Sequence, residues 1–186
     1  HMIGPCALDP GSQETPDWLA GIDRPIVLVT TSSERQEDSA LVKTAVSALA
    51  DEPVHVVATL PAGHAEDIPA SSHATVRGQV PHGVILDRAV CAVTHGGMGA
   101  TQKALLHGVP VCVVPFGRDQ FEVARRVEVA RCGTRLPAKK LSTPRLVAKV
   151  REAMTMAEGA RRVAAGFEAT GGVPYGADLY EHRCLA

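Results

Sequence analysis

The sequence predicts an α/β fold, a Rossmann-like doubly wound parallel sheet of about six strands with helices on both faces. Three observations predict it. From residue 25 onward, short runs rich in Val, Ile and Ala alternate with stretches in helical spacing. The short runs are apolar throughout, as strands buried on both faces are. Polar clusters follow these runs directly, where open parallel sheets receive ligands beyond the carboxyl ends of their strands.

The elements follow in order. Residues 1–24 read as a tag remnant, His1-Met2, and then an interdomain linker rich in Pro, Gly and Asp. Within the linker, Thr15 to Leu19 suggests a helical turn that docks Trp18 on the domain. Residues 25–186 read as one domain with helices at its C-terminal end. Pro25 to Thr31 is the first strand, and Asp38 to Ala50 a helix with apolar residues at Leu41, Val42, Ala45, Val46 and Leu49. Val54 to Thr59 and Thr75 to Arg77 are the next strands, separated by a loop from Pro61 to Ser72. A short helix, Gly83 to Asp87, precedes a strand from Ala89 to Val93. Ala100 to Leu106 is a helix closed by Gly108 and Pro110. Val109 to Pro115 is the fifth strand, Gln120 to Ala130 a helix, and Gly133 to Leu136 the sixth strand. Helices over Thr143 to Met154, Ala157 to Thr170 and Gly176 to His182 close the chain, with Gly171-Gly172-Val173-Pro174 breaking the last two apart.

Composition narrows the function. Net charge is −1, so no electrostatic field favours nucleic acid. No apolar run reaches the length of a membrane span. The five cysteines form no CxxC pair, and the eight histidines show no ligand spacing. They read as reduced thiols in a cytoplasmic protein with no metal site.

The chain is organised around Thr94 to Gln120. His95 stands where a strand gives way to Gly96-Gly97-Met98-Gly99 and a helix begins. A helix N-terminus offers unpaired N–H groups and about half a positive charge, and glycines let a bulky anion approach the backbone. A histidine there adds a hydrogen bond, so phosphate or pyrophosphate is the natural ligand, shared among His95 and the backbone N–H groups of Gly97 to Thr101. One strand later, Asp119 accepts from hydroxyls and Gln120 both accepts and donates. An anion on one side and a polyol on the other describe a nucleotide-sugar.

Four segments, in order, are Thr30-Thr31-Ser32-Ser33-Glu34, Val80-Pro81-His82, Thr94-His95-Gly96-Gly97-Met98-Gly99 and Pro115-Phe116-Gly117-Arg118-Asp119-Gln120. Together they resemble the donor-binding half of family 1 glycosyltransferases of the GT-B fold, in the bacterial natural-product branch that decorates macrolides and enediynes. The resemblance covers about Ile26 to Leu179. It implies inverting, metal-independent transfer of a sugar from a TDP-sugar or UDP-sugar, with no cofactor, to the hydroxyl of a small-molecule aglycone. It also implies that the aglycone and the general base belong to a missing N-terminal domain, so this chain binds nucleotide and is inactive alone.

The resemblance assigns donor contacts residue by residue. One hydroxyl of Thr31, Ser32 and Ser33 faces the phosphate, while Glu34 reads as solvated and Arg118 as a surface or ion-pair residue. The base falls to Gln79, which stands where plant relatives stack an aromatic ring, and to Val80, with His82 either structural or in contact. Pyrophosphate falls to His95 and Gly96, Gly97, Met98, Gly99, Ala100 and Thr101. His95 also stabilises the leaving group. The sugar falls to Asp119 and Gln120, which otherwise cap the following helix. Where plant relatives carry a phosphate-binding Ser and a ribose-binding Glu, this sequence has Ala100 and Lys103, with Thr101 a substitute hydroxyl. That departure argues against UDP-glucose, and the resemblance to bacterial natural-product enzymes, which often use TDP-deoxysugars, implies a TDP-deoxysugar. Other readings are a sugar-nucleotide 2-epimerase and a non-catalytic nucleotide-sugar-binding protein. A dinucleotide site fits less well, since Gln102 replaces the third glycine of the GxGxxG pattern and the motif follows the fourth strand.

Overall fold

A computed structural model describes residues 1–7, 9, 14–34, 39–63 and 65–184. It contains strands β1 (Ile26–Thr30), β2 (His55–Thr59), β3 (Ala74–Arg77), β4 (Ala89–Thr94), β5 (Val111–Val113) and β6 (Gly133–Arg135). The helices are α1 (Asp17–Ala20), α2 (Ser39–Ala48), α3 (Gly83–Leu86), α4 (Met98–Leu106), α5 (Gln120–Val129), α6 (Thr143–Met154), α7 (Ala157–Glu168) and α8 (Gly172–Cys184). All pairings are parallel, in the order β3-β2-β1-β4-β5-β6. The order reverses between β1 and β4, so a crevice opens there at their carboxyl ends.

Alternation along each strand divides the core. Val27 and Val29 of β1 pack on one face with Leu41 and Val42 of α2 and Leu146 and Val150 of α6. Ile26 and Leu28 point to the other face, against Ile85 of α3, Ala104 and Leu105 of α4, and Ala160 of α7. Leu19 of α1 is fully buried there, with Trp18 beside it and the Arg77 guanidinium 5.3 Å from the Trp18 ring centre. The helical turn expected before β1 thus docks on the domain as expected.

Three differences from the expected boundaries bear on the local chemistry. β5 is shorter than Val109 to Pro115, because Pro110 and Pro115 have no N–H for the ladder. α4 begins at Met98 rather than Ala100, taking Gly99 into its first turn. α8 begins at Gly172, not Gly176. The chain break is confined to Gly171, at φ 81°, and Gly172, at φ 60°. Pro174 is tolerated because a first-turn residue has no intrahelical acceptor to satisfy. Asp38, the expected start of α2, lies outside the described residues. No helix among the described residues is long and apolar enough to cross a membrane.

Candidate functional site

The carboxyl ends of β1 and β4 open onto a cavity of 820 Å³. That volume lies in the small-molecule range of about 300–1,000 Å³. Thr31, Ser32 and Ser33 line it from the end of β1, and Gln79, Val80 and His82 from the loop between β3 and α3. His95, Gly97, Gly99 and Ala100 close it from the β4–α4 turn. Three separate expected clusters therefore meet at one place.

The β4–α4 turn is built by two glycines acting differently. Gly96 has φ 92°, and a Cβ there would sit 3.0 Å from both Val113 Cγ1 and Gln120 Cβ. Only glycine meets both demands without strain. At Gly97 a Cβ would fall 2.4 Å from Nε2 of His95, so the imidazole lies against the bare backbone of Gly97. His95 is 7% exposed. Thr94 secures the turn, its hydroxyl accepting from the Gly96 N–H at 3.2 Å and meeting the Thr101 hydroxyl at 3.1 Å. The amides of Met98, Gly99 and Ala100 then occupy the first turn of α4, where N–H groups have no helical acceptor. Amides and imidazole at a positive helix end suit an anion with several acceptor oxygens.

Other expected contacts lie elsewhere. Thr101 is 2% exposed and faces Thr94 rather than the cavity, and its N–H closes the first helical turn on the Gly97 carbonyl at 3.1 Å. It therefore supplies no substitute phosphate hydroxyl and no amide to the anion. Gly96 and Met98 do not line the cavity either; Gly96 faces Val113, and Met98 is exposed. Gln120 is buried, and its Oε1 accepts from the N–H groups of Phe116 at 2.8 Å and Gly117 at 3.1 Å. Its amide oxygen thus fixes the β5–α5 loop. Asp119 is exposed in the N-cap position of α5, without a side-chain capping bond. Glu34 is not merely solvated; it pairs with Arg118 at 2.8 Å across the loops after β1 and β5. Thr31 donates its hydroxyl proton to the Thr59 carbonyl at 3.2 Å, so toward a ligand its oxygen is an acceptor.

A residue that sequence reasoning missed also lines the cavity. Asp9, from the segment before β1, accepts from the His82 N–H at 3.0 Å, from the Gly83 N–H, and from the Lys103 ammonium at 2.8 Å. Burial pushes its carboxyl up, but the Lys103, Gly83 and His82 hydrogen bonds and the Lys103 charge outweigh this and hold it below the usual aspartate value. No local pattern announces a contact between residues 94 positions apart.

His82 is the neutral member of this group. Burial lowers its imidazole to about 4, the Lys103 charge acts in the same direction, and the Asp9 carboxylate opposes both. Its Nε2 lies 3.1 Å from the Thr59 hydroxyl. Between the ordinary value of 6.5 and about 4, the unfolded chain takes up a proton that the folded chain refuses. Stability is therefore fully present above pH 6.5 and falls as pH drops toward 4. Urea titrations should show a loss on the order of 3 kcal/mol across that window, which His82→Gln largely removes. Parallel pH profiles for the two proteins would refute the assignment.

Among the described residues, no group of three or more His, Cys, Asp or Glu side chains is placed to hold a metal.

Comparison with known proteins gives concordant findings. A family model described as "Erythromycin biosynthesis protein CIII-like, C-terminal domain" matches residues 40–171. The chain is 36% identical over 129 residues to 4'-demethylrebeccamycin synthase of Lentzea aerocolonigenes, covering 68% of this chain and 30% of that protein. The crystal structure of the glycotransferase of kitacinnamycin superposes with a TM-score of 0.80 at 30% identity, over 97% of this chain and 48% of its own. Glycosyltransferase VinC, crystallised with DTDP, superposes with a TM-score of 0.77 at 26% identity, over 91% of this chain and 44% of its own. The chain thus spans less than half the length of each of these relatives.

Proposed function

The chain belongs to the family of erythromycin biosynthesis protein CIII-like C-terminal domains, the C-terminal domains of antibiotic-type glycosyltransferases, and we propose that it is the half that binds the nucleotide-sugar donor. The donor is a TDP-linked deoxysugar, with UDP the second candidate nucleotide. The observation that carries this reading is the first turn of α4 and the His95 imidazole meeting in one cavity at the reversal of strand order. VinC, the relative crystallised with DTDP, supports the choice of nucleotide.

In this reading the diphosphate lies against His95 and the amides of Gly99 and Ala100. An acceptor hydroxyl attacks the anomeric carbon from the face opposite the diphosphate. The new carbon–oxygen bond forms as the bond to the phosphate oxygen breaks, inverting the configuration. The electron pair leaves with the nucleotide, and the acceptor's proton passes to a base outside this chain. Amides and imidazole already aimed at the departing oxygens stabilise charge without reorganising. The base and most of the aglycone pocket belong to the preceding half of the enzyme, so this chain binds donor without turnover.

Calorimetric titration with TDP, UDP and NAD tests the reading. TDP should bind, UDP more weakly, and NAD not measurably. Absence of any nucleotide binding at millimolar concentration would remove the proposal.

A further inference from the structure

Thr59, the last residue of β2, is fully buried and does not line the cavity. Its hydroxyl lies 3.1 Å from Nε2 of His82 and has no other partner among the described residues. Its own carbonyl already accepts from the Thr31 N–H at 3.3 Å and from the Thr31 hydroxyl at 3.2 Å. A buried hydroxyl proton without an acceptor is costly, so the Thr59 hydroxyl donates to Nε2. Burial lowers the imidazole to about 4, so the ring is neutral near pH 7. A neutral ring that accepts at Nε2 carries its one proton on Nδ1. Nδ1 makes no hydrogen bond with a described residue and is not buried, and it opens onto the cavity that His82 lines.

We propose that Thr59 is a positioning residue for nucleotide recognition: it fixes His82 as the Nδ1–H tautomer, and that N–H donates to an acceptor oxygen of the nucleoside. The inference rests on the donor-binding reading above. Strand spacing selects the part of the donor that reaches His82. β2 lies beyond β1 from β4, about 9–10 Å away at the usual strand separation. With the diphosphate on the β4–α4 turn, a group one nucleotide arm away lies over the end of β2. The cavity wall there includes Pro61, Val80, Pro81 and Val84, which suit a flat base better than a polyol. The other tautomer would turn a lone pair toward the same oxygen and repel it.

Two-bond proton–nitrogen correlations of the imidazole identify the tautomer directly. Near pH 7 the parent should show His82 protonated on Nδ1. In Thr59→Val the Nε2–H form should gain population, and TDP affinity should fall about fivefold to tenfold. Thr59→Ser keeps the hydroxyl and should restore both. A threonine that served only packing would change stability without moving the tautomer. Titration with deoxycytidine diphosphate locates the acceptor. A loss confined to TDP assigns it to the carbonyl that cytosine replaces with an amino group. Equal losses assign it to an oxygen that the two nucleosides share. Either pattern supports the proposal.

An Nε2–H ring in the parent, an unchanged tautomer in Thr59→Val, or a shifted tautomer with unchanged TDP affinity overturns the proposal. If Thr59→Val does not fold, the parent still decides: its His82 Nδ1 signal should move on TDP addition, and a stationary signal overturns the proposal. Failure of the parent to bind TDP removes the donor reading itself and this inference with it, an outcome distinct from TDP binding that Thr59→Val leaves untouched.

Discussion

Gly97→Ala is expected to weaken TDP binding about as much as His95→Ala, while the protein stays folded. The added methyl carbon would lie 2.4 Å from Nε2 and 2.7 Å from Cε1 of His95, so the imidazole must leave its position. The backbone at Gly97, with φ −61° and ψ 134°, suits alanine, so the collision concerns the side chain of His95 and not the main chain. A lost charge-assisted hydrogen bond is worth about 1.5–3 kcal/mol, or roughly 10- to 150-fold in affinity. Calorimetry should give similar losses for both variants, with melting temperatures close to that of the parent. Unchanged affinity in Gly97→Ala would mean that the ring does not contact the ligand from this position.

Gly159→Ala should be the most damaging conservative substitution in the helical layer. A Cβ at Gly159 would fall 1.8 Å from the Arg131 carbonyl oxygen and 2.8 Å from its carbon, both backbone atoms. Arg131 is itself held at φ 53°, so the turn after α5 has little freedom to retreat. Overpacking of this kind costs about 3 kcal/mol, which at this chain length lowers the melting temperature by roughly 6–12 °C. Gly166, two turns further along α7, provides the control. Nothing lies within 4 Å of a Cβ there, so Gly166→Ala should be neutral or stabilising by up to about 1 kcal/mol. Thermal melts of the pair would show opposite signs; equal effects would mean that α7 shifts freely on Arg131.

The parts of the fold that were legible in the sequence are those governed by local periodicity. Continuous apolar strands, the Gly108–Pro110 helix stop and the order of the elements all leave short-range patterns. The site was legible to the extent that it is made of strand ends: Thr31, Gln79 and His95 sit beyond three different strands, and parallel topology brings them together. The direction of individual side chains was not legible. Thr101 follows Met98 by three residues, and a modest rotation of the helix decides whether its hydroxyl meets a ligand or Thr94. Gln120 carries polar atoms suited to a sugar, but the two amides of the β5–α5 loop claim its oxygen. Asp9 was invisible for another reason: the irregular segment before β1 shows no periodicity from which a tertiary contact can be read.

On the donor-binding reading proposed above, the cavity serves the half of the reaction that handles the leaving group. Departure of a diphosphate calls for charge stabilisation, which preorganised amides would supply.

The central claim is that the β4–α4 turn seats the diphosphate. Titration of the isotope-labelled protein with TDP, followed by amide chemical shifts, tests it most directly. The account predicts the largest shifts at His95, Gly97, Gly99 and Ala100, with smaller ones at Gln79 and Val80. Saturable shifts confined to the opposite end of the sheet, around His107 and Val109, with the β4–α4 turn unmoved, would contradict it.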